Sequence, residues 1–209
     1  MVRPFFCMHG LKYLTMKKIS FSLLGSLLSI CLFAQAPAQF GLKGGLNIAT
    51  LRQDNVSYDS RIGLHIGGLA HIHLTPQWAL QPEVQYSQEG AEVNDVKLKL
   101  DYINIPLMIQ YMFDNGFRIE AGPQLGLMIN SKAEDDDGEE DDLDDVFKST
   151  NVALGFGVNY LSYSGIGFGG RYNLGLSDIS ESNNSKIKSG NFQISLFYMF
   201  DSQHKSKSR

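Results

Sequence analysis

Cysteine is nearly missing from this chain. The 209 residues hold two, Cys7 and Cys31, and both lie in an N-terminal region that reads as a removable leader. A chain without them has no disulfide scaffold, no thiolate metal site and no cysteine nucleophile. Long apolar runs are also absent beyond Phe33, and nowhere after that point do apolar residues recur with a sustained 3.6-residue period. The first absence excludes a spanning helix and the second argues against a helical domain. Positive charge is scarce too. From Gln35 onward 14 Lys and Arg face 22 Asp and Glu, a balance of −8, which argues against nucleic acid as a partner.

The leader is legible in its own right. Met16 is followed by Lys17 and Lys18, then by the apolar stretch Ile19 to Phe33 and the small residues Ala34, Ala36 and Ala38. That is the order of a secretory signal peptide, too short in its apolar part for a membrane span of about 20 residues. Residues 1–15 precede the better start at Met16 and are expected to be untranslated or unstructured. Residues 16–38 are read as the signal peptide, 39–200 as the folded domain and 201–209 as a basic tail. A lipid anchor at Cys31 is disfavoured, because the bulky Ile30 stands where lipidation needs a small residue. Roughly 175 residues remain, enough for one domain.

What the remaining chain does have is alternation. Eight runs of period two recur between Phe40 and Phe200. In the first, Phe40, Leu42, Leu46 and Ile48 share one face, and Gly41, Lys43, Gly45, Asn47 and Ala49 share the other. The third sets Trp78, Leu80, Pro82, Val84 and Tyr86 against Ala79, Gln81, Glu83, Gln85 and Ser87. In the seventh, Phe168, Tyr172 and Leu174 oppose Gly169, Arg171 and Asn173. Pro106, in the fourth run, cannot donate a ladder hydrogen bond and predicts a bulge or local break.

The runs are about 9–14 residues long, which matches the 9–11 of a tilted transmembrane strand and exceeds the 5–6 of soluble sheets. One face is uniformly apolar and the other carries charge, amides and glycine. Burying the second face in an apolar core would cost several kcal/mol per unpaired charge. Turned inward in a barrel, the same residues can pair while the apolar face meets lipid. Lipid offers no partner to a sheet edge, so the sheet must close. The expectation is an all-β, eight-stranded antiparallel transmembrane β-barrel. Eight strands leave room only for side chains, with the glycines making space for arginines. A secreted soluble barrel or sandwich is the alternative; it requires the apolar face inside and the charged one in water.

Connections add a second signal. Thr75 to Gln77, Asp114 to Gly116 and Leu161 to Gly165 are short, whereas Arg52 to Ser60, Gln88 to Lys99, Ser131 to Ser149 and Ser177 to Ser189 are read as longer loops. Short periplasmic and longer external connections are the outer-membrane arrangement.

Three motifs then carry a family resemblance: Phe40-Gly41-Leu42-Lys43-Gly44-Gly45-Leu46-Asn47, Leu80-Gln81-Pro82-Glu83-Val84-Gln85-Tyr86-Ser87 and Tyr102-Ile103-Asn104-Ile105-Pro106-Leu107. With Ala121-Gly122-Pro123 and the glycine-rich sixth and seventh runs, they resemble the bacterial outer-membrane beta-barrel proteins called the porin family, or PorT-like, abundant in Bacteroidota. The resemblance implies an outer-membrane location and an eight-stranded barrel, and little chemistry.

Lys43, Glu83, Arg118, Glu120 and Arg171 are the expected interior charged network. Ten carboxylates, Glu134, Asp135, Asp136, Asp137, Glu139, Glu140, Asp141, Asp142, Asp144 and Asp145, form an acidic segment. Such a segment is expected to be a solvated loop, with weak divalent-cation binding as the alternative. His65, His71 and His73 share one face, but three ligands in a row along a strand span too far for one tetrahedral ion. Their expected role is interior packing, against Glu83 or Glu120. No cofactor and no catalytic residue is expected. The leading functional reading is a filled barrel with a structural or interaction role through its loops, in contact with outer-membrane lipid and with other envelope proteins. Passive passage of small solutes and an outer-membrane enzyme are the alternatives.

Overall fold

The computed structural model describes residues 38–53, 58–93, 96–135, 140–142, 147–180 and 187–200. Residues 1–37, which hold all of the expected signal peptide but Ala38, and residues 201–209 lie outside them. Nine strands follow in chain order: β1 Ala38–Gln53, β2 Asp59–His73, β3 Trp78–Val93, β4 Val96–Met112, β5 Phe117–Glu134, β6 Glu140–Asp142, β7 Thr150–Leu161, β8 Ile166–Gly175 and β9 Ile187–Met199. Eight of them form one antiparallel sheet. It closes on itself through β1 with β9 and through β4 with β5. The short β6 pairs only with the end of β5, outside the cylinder. The fold is an eight-stranded, all-antiparallel β-barrel.

Side-chain direction is inverted relative to a soluble protein. Val84 is 56 % exposed and Ile62 71 %, whereas Arg171 and Glu83 are each 1 % exposed. Apolar side chains of every long strand cover the outer wall, and polar ones fill the lumen. Because strand side chains alternate with period two, one choice of face orients a whole strand. This arrangement overturns the soluble sandwich reading, which required the opposite choice.

The three short turns lie at the end that also holds both termini of the barrel. Phe113 to Phe117 closes around Gly116 at φ +88°, where Gly116 N–H donates to Phe113 O at 3.2 Å. Ser162 to Ile166 closes around Gly165 at φ +85°. Both angles lie in the left-handed region that glycine enters without a Cβ clash. The third turn is held by Thr75, whose Oγ1 accepts from Trp78 N–H at 3.0 Å. Aromatic pairs ring this end outside, among them Trp78 with Tyr111, Phe117 with Tyr160 and Tyr198 with Phe200. They mark a membrane interface.

At the opposite end one expectation is corrected. Gln88 to Lys99 is not a long loop, because β3 runs to Val93 and β4 resumes at Val96 in continuous register, Gln88 opposite Asp101 and Val93 opposite Val96. The alternation of Ala91, Leu98 and Leu100 continues into this hairpin and lets the ladder continue. Of the two outcomes expected at Pro106, in the middle of β4, the structure shows the local break and not the bulge. The β3–β4 register is the same on both sides of it, and the β4–β5 irregularity falls at Asp101/Tyr102 instead. The missing proline donor interrupts pairing locally without inserting a residue.

Candidate functional site

The lumen is built in layers, each dictated by which inward positions share a height. At the turn end, Leu69, Leu161, Phe197 and Met199 pack into a small apolar cluster. Gly167 makes room for it: a Cβ there would lie 2.2 Å from the Phe197 ring.

Above it sits the charged cluster. Arg171 on β8 donates from Nη1 and Nη2 to the two oxygens of Glu83 on β3, at 2.9 and 2.6 Å, and from Nε to Glu120 on β5 at 2.6 Å. Lys43 on β1 reaches Glu83 at 3.4 Å. Gln81 Nε2 donates to Glu83 at 2.7 Å, Gln85 donates to it as well, and Gln110 Nε2 donates to Glu120 at 2.7 Å. Since β3 lies four strands from β8 in either direction around the barrel, the bidentate pair spans the full lumen. Planar guanidinium against carboxylate is the strongest form of such a contact. Two glycines clear the space. A Cβ on Gly157 would lie 2.7 Å from Glu120 Oε1, and one on Gly155 would meet Arg171 Cδ at 3.4 Å.

Of the five residues singled out from sequence, the structure brings four into direct contact: Lys43, Glu83, Glu120 and Arg171. Arg118 is buried on the same face, two residues below Glu120 along β5. It makes no hydrogen bond to another described side chain. His65 and His71 find hydrogen-bond partners other than Glu83 or Glu120. His65 shares hydrogen bonds with Asn47 Oδ1 at 2.9 Å and Ser195 Oγ at 3.0 Å. His71 meets Gln81 Oε1 at 3.3 Å and stacks edge-on against His73. Neutral amides and hydroxyls were the nearer partners because the carboxylates are already saturated by arginine, lysine and glutamine.

A layer of neutral groups lies higher still. Asn47 donates to Ser87 Oγ at 2.9 Å and accepts from Gln193 at 3.1 Å. Glu89, buried at the top of β3, accepts from Asn104 at 2.8 Å and Ser87 at 2.9 Å. The amides of Asn173 and Asn191 and the Tyr102 hydroxyl find no protein partner; such buried groups are the kind that ordered water satisfies. Gln81, Gln85 and Asn47 are expected from sequence on the inward face but not in the charged network, and Glu89 reads there as a loop residue. Their signal was parity: Gln81, Glu83, Gln85, Ser87 and Glu89 all fall on one face of β3.

Loops then close the far mouth. Phe147, from the β5–β7 connection, and Ile179, from the β8–β9 connection, are buried against Leu51, Leu100, Tyr102 and Ile187. A backbone bridge joins Phe147 to Ser180, and Lys148 N–H donates to Ile179 O at 2.8 Å. The acidic segment is described only in part. Glu134 pairs with Lys99, and Asp141 lies on β6. Only the strand backbone of Glu140 and Asp142 is described, and Asp136, Asp137, Glu139, Asp144 and Asp145 lie outside the described residues. Among the described residues no group of three or more His, Cys, Asp or Glu side chains is placed to hold a metal ion.

A closed antiparallel cylinder, apolar outside and filled with paired polar side chains inside, is a transmembrane barrel of the outer membrane. The chain belongs to the outer membrane protein beta-barrel domain family, whose model matches residues 33–181. Among solved structures it is similar in fold to Neisserial surface protein A (NspA), with a TM-score of 0.53 at 18 % identity over 78 % of this chain and 99 % of that one. It is likewise similar to Ail, the attachment invasion locus protein of Yersinia pestis, with a TM-score of 0.52 at 13 % identity over 78 % and 99 %. A structure of Ail in complex with the heparin analogue sucrose octasulfate gives a TM-score of 0.51 at 14 % identity over the same shares. At these identities the likeness is one of fold. No curated protein matches the chain.

Proposed function

We propose that this barrel is a structural and interaction module of the outer membrane, which acts through its external loops and does not conduct solutes. The observation that carries this reading is the bidentate contact of Arg171 with Glu83 across the whole lumen, with apolar layers below and above it. A solute would have to break a paired buried charge and displace two apolar clusters. Protein partners in the envelope are the second half of the proposal. Its support is that the strands outrun the membrane on one side only, in the β3–β4 hairpin and the β5–β6 extension, and offer folded backbone there.

The finer family assignment is part of the same reading. The Lys43, Glu83 and Asn104 positions of the three resemblance motifs all point into the lumen, which supports a PorT-like, Bacteroidota-type barrel. Lys43, Glu83, Arg118, Glu120 and Arg171 would then serve as interior support, with no catalytic role. Residues 16–38 would be the export signal, on the strength of Lys17 and Lys18, the apolar stretch Ile19 to Phe33 and the small residues Ala34, Ala36 and Ala38; sequencing the N-terminus of the membrane-embedded protein checks this. For the acidic segment the proposal is a solvated loop with weak divalent-cation association, because ten carboxylates crowd into the twelve positions 134–145 and repel one another.

Planar-bilayer recording of the refolded protein tests the main reading. A silent bilayer containing closed barrels, verified by heat-modifiable migration, is the expected outcome. Stable unitary conductance steps would replace it with passive passage of small solutes.

A further inference from the structure

Near the loop end of the β1–β9 ladder two cations stand directly opposite each other. Arg52 pairs in register with Lys188, and both are exposed. Both also have the outward parity of Ile48 and Phe192, so they belong to the outer wall and not to the lumen. Like charges placed opposite each other on adjacent strands repel. Among the described residues no carboxylate lies within ion-pair distance of either one.

The pair is nevertheless built into its surroundings. Arg52 Nη2 donates to Tyr172 Oη at 2.7 Å, although Arg52 is on β1 and Tyr172 on β8, with β9 between them. They meet over Gly190, where a Cβ would lie 3.2 Å from Tyr172 Oη and 4.0 Å from Arg52 Nε. The glycine therefore leaves a notch in the outer wall, across which the guanidinium reaches Tyr172, two residues along β9 from Lys188.

Height decides what this notch faces. Phe40 and Phe200 stand at the turn-end interface, and Arg52 and Lys188 are each twelve residues further along the same two strands. At about 3.3 Å per residue and a tilt of about 40°, that is roughly 30 Å along the barrel axis, the thickness of the hydrocarbon layer. Directly below the cations, Ile48, Phe192 and Ile194 are exposed apolar side chains on the lipid-facing wall. Cations at the upper edge of an apolar band meet the headgroups of the outer leaflet.

We propose that Arg52 and Lys188, with the Tyr172 hydroxyl, form a phosphate site for an anionic lipid of the outer leaflet, whose acyl chains lie along Ile48, Phe192 and Ile194. The shared phosphate offsets the repulsion between the two cations, and the guanidinium fork suits its oxygens. The apolar wall below commits the site to a lipid, since a soluble anion would gain nothing from it.

The test uses the full chain folded in detergent and diphosphoryl lipid A as the probe, with adducts counted by native mass spectrometry. Its dephosphorylated form and inorganic phosphate are the comparison arms. The native chain should retain the phosphorylated lipid preferentially. R52Q/K188Q should weaken that retention about tenfold or more and leave the dephosphorylated lipid unaffected. Tyr172→Phe removes one hydroxyl and should weaken it about threefold; this variant decides the matter if the double variant fails to close by heat-modifiable migration. Equal retention of both lipids by the native chain, undiminished retention by the variants, or displacement of the lipid by inorganic phosphate at equal concentration would each overturn the proposal.

Discussion

The lower and upper halves of the lumen solve the same problem in different ways. Around Arg171 every charged group except Arg118 has a direct partner, and Glu83 alone takes hydrogen bonds from Arg171, Gln81, Gln85 and Lys43. Around Glu89 the groups are mostly neutral, and several of them, including both amide atoms of Asn173 and Asn191, have no protein partner. The difference follows from cost. An unpaired buried charge costs several kcal/mol, whereas an unpaired amide costs about 1–3 kcal/mol and is readily served by water. The lower half is therefore the fixed brace of the barrel, and the upper half tolerates variation.

That contrast can be broken most directly at Arg171. Arg171→Met leaves Glu83 and Glu120 buried without their guanidinium and should destabilise the folded barrel by about 3–5 kcal/mol, read from the urea midpoint of unfolding in detergent. A pairwise version sharpens the result. If R171M is combined with Glu120→Gln, part of that loss should return, because the one carboxylate that remains, Glu83, keeps Lys43 as its partner; an undiminished loss would mean that volume and not charge holds the centre. Next in size is Gly157→Val. Its Cβ would overlap Glu120 Oε1 and Gly170 O, and forcing the brace apart should cost about 1–3 kcal/mol in the same assay. In the upper half, Glu89→Gln keeps the shape and removes a carboxylate that has only neutral hydrogen-bond donors. Its effect should stay within about 1 kcal/mol. Smallest of all should be Asn173→Ala, at about 0.5 kcal/mol or less, since that amide has no hydrogen-bond partner to lose. A large effect there would erase the distinction between the halves.

Much of this was legible beforehand, and for a definite reason. A strand has only two faces, so Phe40, Leu42 and Leu46 on one side with Lys43 and Asn47 on the other determine both orientation and environment once the apolar side is assigned to lipid. The short connections at Gly116 and Gly165 were equally readable, because a tight reversal demands residues tolerant of positive φ. The hairpin at residues 88–99 was not, since Gln88, Glu89 and Gly90 look like loop residues until the ladder with Asp101, Leu100 and Lys99 is seen. Alternation in that stretch survives only in Ala91, Leu98 and Leu100.

The sequence by itself determined the period of the chain, the lipid-facing side of each strand and the residues available to the interior, because these depend on local geometry and on the exclusion of unpaired charge from hydrocarbon. Only the tertiary structure decided partners. Which carboxylate Arg171 reaches depends on strand stagger around the closed cylinder, which places β3 opposite β8. Whether the mouth is open depends on two loops, carrying Phe147 and Ile179, that fold inward over Leu51 and Leu100. Distances across a barrel are set by closure and shear, and no local pattern along a single strand encodes them.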